Sequence, residues 1–317
     1  FIEKSTSLIR EEKSKFGFIV PHTWLATESF ELLRKLLIEN KLIEEIVEMG
    51  FKVFDDAIVS TVIIICSHNN NSIRVKNRDF SERVKIPYKF LQKNNFSIDL
   101  EWSESKQKLY DKIGMNSESL EKFISFSRGI KTSDDTRFIL NDKKNKDCYK
   151  IYRGRNIKAY QLNWEKEWVW YRPDLMKEKV GCLPHSKEFF EAPEKLVTQR
   201  VNSSMQLLVT YDNHKNYFLD TVNVSRFDSW DKKHSLKYIC GVLNSKLITY
   251  WYCNKYKMPT IGLYELHSIP IKSIDFKNSV KKNTHDEIIK HVDQLLKLNK
   301  EKQETKLQTK IEQLQTK

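Results

Sequence analysis

Apolar residues along this chain recur with two periods, and each period predicts a different element. Ile2, Leu8 and Ile9 fall on one side of a helical pattern over residues 1–13. KFGFIVP (15–21) predicts a short buried strand stopped by proline. Residues 27–39 read as a helix, with Phe30, Leu33 and Leu37 on one face and Glu28, Glu31, Arg34 and Lys35 directed outward. IEEIVEM (43–49) alternates as a strand does, Gly50 opens a loop, and VSTVIIICS (59–67) predicts a second buried strand. Strand, helix, strand, loop, strand is the pattern of the tail of an open α/β sheet.

Asn69, Asn70 and Asn71 make a polar break that ends this first region, set at 1–75. A second region, 80–280, is mixed. It begins with helices near 103–112 and 117–127 and continues through short strands and turns (KDCYKIYRGRNIKAY, EKEWVWY, EKLVTQRV, QLLVTYD). Trp164, Trp168, Trp170 and Tyr171 alternate as core strand residues. One helix is expected over 236–256, from Ile239, Val242, Leu243, Leu247, Tyr250 and Trp251, with Asn244 and Ser245 packed inside it. IGLYELHSIPI holds a further strand. A long helix covers 284–317, where Ile289, Val292 and Leu296, then Leu307, Ile311 and Leu314, form a stripe broken by the polar Asn299 and Gln303. The chain opens on Phe1 inside a helical pattern and closes on an uncapped helix, which suggests part of a longer polypeptide.

Composition narrows the function classes. No apolar run reaches the roughly 18 residues that would cross a bilayer, and FIEKSTSLIREE is not a signal peptide. A membrane partner is therefore not expected. The five cysteines form no CxxC pair, so a reducing cytoplasm is the default and no metal site is expected. The net charge is +13, unevenly spread. Residues 1–60 carry 8 Lys/Arg against 11 Asp/Glu, and the remainder carries 47 against 31. A surplus confined to one part of the chain points to a polyanion there, although a lysine-rich solvated face would look the same. The eight glycines are all more than ten residues apart, so no glycine-rich phosphate loop exists. HExxH and GxSxG are absent as well.

Several ordered segments resemble one family. KFGFIVPHTWL, LLRKLL and GFKVFDDAIVSTVIIIC are similar to the segment after the NPPY motif in TaqI-like adenine methyltransferases. GIKTSDDTRF, YRGRNIKAY, KLVTQR, GVLNSKLITYWY and YELHSIPI follow in the order of that family's target recognition domain. The resemblance covers residues 1–275 or so. It implies an α/β chain: a partial Rossmann-like methyltransferase sheet, a mixed α/β recognition domain and a long C-terminal helix. It further implies a type IIG restriction-modification parent, in which an upstream catalytic domain of the same polypeptide supplies the S-adenosylmethionine loop and NPPY. The present residues would then hold no cofactor and would be inactive alone, and the parent would also be able to carry an endonuclease. The partner is double-stranded DNA, with one adenine flipped from the stack.

The same resemblance places Phe54 against the flipped adenine; the alternative is a Phe that plugs a domain interface. Where the TaqI enzyme has lysines, this chain has Asp55, Asp56, Ala57 and Ile58. YRGRNIKAY offers Arg153, Arg155, Asn156 and Lys158 around Gly154, a set suited to guanine, adenine and phosphate, or to an ordinary basic hairpin. Thr132, Ser133 and Arg137 are candidate contacts, provided that Asp134 and Asp135 face away or accept from cytosine amino groups. Arg200 and Asn202 would extend the surface, with Arg200 otherwise a structural ion pair. Pro259, with Thr260 beside it, is either a wedge near the orphaned base or simply the end of a helix. A type I specificity subunit, a binding module without catalysis, is the rival reading. The first-region strands speak against it, and an RNA methyltransferase would lack the recognition segments.

Overall fold

The computed structural model describes all residues except 10–13, 55–58, 93–95, 203–205, 257–259 and 316–317, with side chains described as far as residue 305. The chain divides into two compact units. The first is Phe1–Ile113 with Asn254–Tyr256, and the second is Gly114–Cys253 with Lys257–Lys317.

The first unit is built on a five-stranded sheet of β1 (Phe16–Pro21), β2 (Ile43–Gly50), β3 (Thr61–Cys66), β4 (Ser72–Lys76) and β5 (Glu82–Pro87), in the order β1-β3-β2-β4-β5. Only β2 and β4 run parallel. One apolar row, Phe18–Ile64–Ile46–Val75–Val84, crosses all five strands. Leu37 and Ile38 of the helix Glu31–Glu39 belong to the same core. The polar Asn69–Asn71 stretch is a turn inside this unit, between β3 and β4, because Ile73, Val75 and Ile86 still have a core to enter. The strand 15–21 is the sheet's edge, with alternate residues exposed, rather than fully buried.

Arg34 departs from its expected outward position. It is buried, and its guanidinium donates to the carbonyls of Trp24 (2.7 Å), Thr27 (2.7 Å) and Phe96 (3.1 Å). Charged donors that meet carbonyls in this way offset the desolvation of a buried guanidinium. Periodicity assigns a residue to a face, but it does not register such distant acceptors.

In the second unit, β6 (Ser117–Ser119), β7 (Phe126–Arg128), β8 (Ile139–Leu140), β9 (Cys148–Tyr152), β10 (Ile157–Lys158), β11 (Gln161–Leu162), β12 (Trp168–Trp170), β13 (Lys195–Gln199), β14 (Val209–Asp212), β15 (Tyr217–Phe218), β16 (Val222–Ser225) and β17 (Pro270–Lys272) form small sheets. The principal ones are β15-β9-β12-β8 and β14-β13-β16-β7. Ile151, Val169, Val197, Tyr217, Phe218, Val222 and Val224 from these two sheets share one core. Lys195 and Asp212 are sealed in this unit as an ion pair at 2.8 Å, and Lys195 also donates to the Phe190 carbonyl.

Three expectations need correction here. Residues 117–127 are two short strands around a 3₁₀ turn, not a helix, since β6 pairs with β17 and β7 with β16. The helix 236–256 is broken into Leu236–Leu243 and Lys246–Tyr256. Asn244 makes the break: its amide donates to the Val209 carbonyl at 2.8 Å and accepts from the Val209 N–H at 3.0 Å, tying the helix end to β14. It is a cap rather than an internal packing residue.

The long helix runs over Ser279–Gln315. At Gly241 a Cβ would stand 2.7 Å from Ile288 Cγ2 and 3.1 Å from Val292 Cγ2, so this glycine sets how closely the two helices approach. Asn299 and Gln303, the interruptions of the heptad, donate to the carbonyls of Tyr160 (3.3 Å) and Leu162 (2.8 Å), at the β10–β11 hairpin.

Candidate nucleic-acid interface

The basic turn follows β9. The Arg153 N–H donates to Asn156 Oδ1 at 2.6 Å, and the Asn156 N–H returns to the Arg153 carbonyl at 3.0 Å. Gly154 donates its N–H to Thr221 Oγ1 at 2.9 Å, and a Cβ there would stand 2.6 Å from the Thr221 carbonyl. Only a residue without a side chain lets the turn lie this close. Asn156 is 1% exposed. Its expected place at an adenine edge gives way to a structural role, because its oxygen closes the turn.

The arginines of the turn are not bare donors. Arg153 makes a two-pronged contact with Glu167 (2.8 and 3.1 Å), while Arg155 meets Glu165 at 2.7 Å. The Trp164 indole donates to the Glu167 carbonyl at 2.8 Å and so holds this carboxylate-bearing segment in place. The hydrogen bond that Arg153 donates to Glu167 raises the Arg153 pKa, and the one that Arg155 donates holds Glu165 below the usual carboxylate range. Arg137 is similarly engaged with Glu178 at 2.9 and 3.0 Å. Lys158 is exposed and has no ion pair among the described residues.

The loop before Arg137 is joined to the same turn. Thr132 donates to Asp135 at 2.5 Å, and Asp135 lies 3.9 Å from Arg153. Asp134 accepts from the Thr136 N–H at 3.0 Å and the Arg137 N–H at 3.4 Å, which caps the short helix Asp135–Phe138. Both aspartates therefore have internal partners.

Arg200 arrives from the end of β13. Its N–H donates to the Thr221 carbonyl at 2.9 Å, and its Nη1 donates to the Asp220 carbonyl at 3.2 Å. Burial, and then the neighbouring Arg128 charge, lower its pKa. Ile261 donates its N–H to the Arg200 carbonyl at 2.7 Å, and Val201 bridges Thr260, so that strip joins the same patch. Asn202 is buried, with its amide donating to the Gln206 carbonyl at 3.0 Å, and faces the fold rather than a ligand. Pro259 lies outside the described residues. Thr132, Arg153 and Arg200 are thus linked through Asp135 and Thr221, and the Val201 bridge brings Thr260 to the same strip.

Thr221, Glu165, Glu167 and Arg128 belong to this patch and were not singled out from the sequence. The only signal for the two glutamates was the charge alternation of EKEW. In the first unit, Phe54 is 50% exposed and Phe51 is 61% exposed in the loop after β2. Asp55, Asp56, Ala57 and Ile58 lie outside the described residues.

Residues 149–271, which contain most of this patch, match the TaqI-like C-terminal specificity domain, and residues 1–54 match the Eco57I restriction-modification methylase. Over residues 149–271 the chain is similar to a TaqI-like specificity domain. At 27% identity over 88% of its length, it is similar to a type II restriction enzyme and methyltransferase of Methanocaldococcus jannaschii. It is also 24% identical, over 75% of its length, to the type II restriction enzyme and methyltransferase RM.Eco57I of Escherichia coli. It spans 25% of each of those relatives. The fold is similar to that of the Type IIL restriction-modification enzyme MmeI, solved in complex with DNA, with a TM-score of 0.56 at 12% identity, covering 88% of this chain and 41% of that one. Among the described residues no helix is long and apolar enough to cross a membrane.

Proposed function

We propose that this chain recognises duplex DNA within a site-specific adenine methyltransferase of the type IIG restriction-modification kind, and presents the target adenine to a catalytic domain elsewhere in the same polypeptide. The observation that carries this reading is the overlap of the specificity-domain match with a patch where Arg153, Arg155, Arg200 and Thr260 are drawn together around Thr221. Arginine and lysine side chains on a rigid turn suit backbone and groove contacts. Phe54, half exposed on its loop, suits stacking on an extruded base, a contact worth about 1–3 kcal/mol.

S-adenosylmethionine would serve the parent enzyme as methyl donor. The residues present here do not fit it as a cradle: Gly17 lies inside β1 and Gly50 leads from β2 into a loop, and neither opens a helix. The rival type I specificity subunit is disfavoured by the five-stranded sheet and by the methylase match over residues 1–54.

The test is fluorescence anisotropy of the 317-residue chain with a labelled random-sequence duplex at rising salt. Binding should weaken steeply, with log K falling by about 0.9 per phosphate neutralised for each decade of salt. Absence of binding, or binding indifferent to salt, overturns the proposal.

A further inference from the structure

The arginines of the candidate interface fall into two electrostatic classes. Arg137, Arg153 and Arg155 are each matched by a glutamate at 2.7–2.9 Å. Arg200 and Arg128 have no ion pair among the described residues. They also lie on or just beyond strands that flank β16 in one sheet. Thr198, Asn223 and Arg128 stand opposite one another across β13, β16 and β7, so they project from one face of the sheet. Arg200 lies two residues beyond Thr198, and its N–H continues the ladder to Thr221, so it projects from that face too.

We infer that Arg128 and Arg200 form an oxyanion site that takes one backbone phosphate of the DNA. The inference rests on the DNA-recognition reading above. Two like charges on one face with no carboxylate in ion-pair contact among the described residues are unfavourable until an anion arrives, and the field of Arg128 outweighs the opposing pull of Asp220 on Arg200. The Nε–H of Arg200 is shielded from solvent and has no acceptor among the described residues. The guanidinium of Arg34, which serves the fold, is met by three main-chain carbonyls, and that of Arg153 by Glu167. Arg200 has a single such carbonyl, that of Asp220 on Nη1, among the described residues. A phosphate oxygen at the outer donors of the guanidinium supplies the missing negative charge. The site adjoins the Gly154 turn through Thr221, so a strand gripped there would run past Arg155.

Two measurements on the full chain test this, using wild type, Arg128→Gln and Arg200→Gln. With the random-sequence duplex, each variant should bind about tenfold more weakly, the scale of a charge-assisted hydrogen bond. Each should also lose about 0.9 from the salt slope, and the double variant should lose no more slope than a single one, because one phosphate is shared. In thermal unfolding, sulfate at millimolar concentration should raise the wild-type Tm saturably and leave Arg128→Gln unmoved. Without sulfate, Arg128→Gln should melt no lower than wild type, since repulsion has been relieved. Arg128 is exposed, so its variant carries the test even if Arg200→Gln fails to fold. DNA affinity, salt slope and sulfate response all unchanged in Arg128→Gln would overturn the site. A lost sulfate response in a chain that never binds DNA would keep the oxyanion site and remove the DNA reading.

Discussion

Replacing Gly154 by alanine tests whether the recognition turn is held by close backbone approach. The added Cβ would stand 2.6 Å from the Thr221 carbonyl oxygen and 3.4 Å from Gln199 Cγ. The nearer neighbour is main chain, in a segment where Gly154 and Arg200 both bond to Thr221, so it has little room to yield. Overpacking of this kind costs about 1–3 kcal/mol. Displacing the turn also loses the hydrogen bond to Thr221 Oγ1, worth about 1 kcal/mol more. The expected loss is therefore roughly 2–4 kcal/mol. Urea denaturation should show a lowered midpoint with an unchanged m-value. Thr221→Ser keeps the hydroxyl and the carbonyl and should be nearly neutral. Thr221→Ala should lose only the hydrogen-bond share and should not rescue Gly154→Ala, because the clash is with main chain. A Gly154→Ala loss below about 0.5 kcal/mol, the range of ordinary surface changes, would refute the reasoning.

Three further outcomes follow from other parts of the molecule. Lys195→Met, which leaves the buried Asp212 charge without its counter-ion, should destabilise by about 3–5 kcal/mol in urea denaturation, whereas Lys195→Met with Asp212→Asn, which removes the charge and keeps an acceptor for Asn216, should recover part of that loss. His267 accepts the Phe126 N–H at 2.8 Å, and burial lowers its pKa against the weaker pull of Glu121. Its contribution to stability is therefore complete above the ordinary imidazole range near about 6.5 and should be lost as pH falls below it. His267→Gln should flatten the part of the stability–pH curve that is due to this residue. In the full-length parent, Phe54→Ala should reduce the 2-aminopurine fluorescence that reports base flipping far more than it reduces duplex affinity; equal losses would return Phe54 to a packing role.

Much of the first unit was legible because its signals are local. Alternation over 43–49 and the apolar run after Val59 give β2 and β3, and the helical spacing of Leu33 and Leu37 gives the helix between β1 and β2. Arg34 escaped because its acceptors lie as far off as Phe96. The same limit explains Asn244, whose partner Val209 is brought near only by the tertiary fold. At the candidate interface, the resemblance drew attention to Arg153 and Arg155, and side-chain chemistry alone made both look like open donors. Their neutralisation by Glu167 and Glu165 depends on how the segment after β11 folds back, which residue type does not encode. Arg128 went unnoticed for the opposite reason: an isolated arginine in SFSRG has no motif, and its meaning comes from standing across β16 from the end of β13.

The polar interruptions of the long helix have a mechanical consequence. Gly241 fixes where this rod touches the shorter helix, and Asn299 and Gln303 clip its flank to the carbonyls that follow the basic turn. Rod and turn are thereby geared to each other. One residue inserted between Val292 and Asn299 would rotate the distal clips by about 100° around the axis while leaving the contact at Gly241 untouched. Torque applied to the far end of the rod would therefore arrive at the segment that follows Arg153 and Arg155, rather than dissipating along a smooth apolar seam.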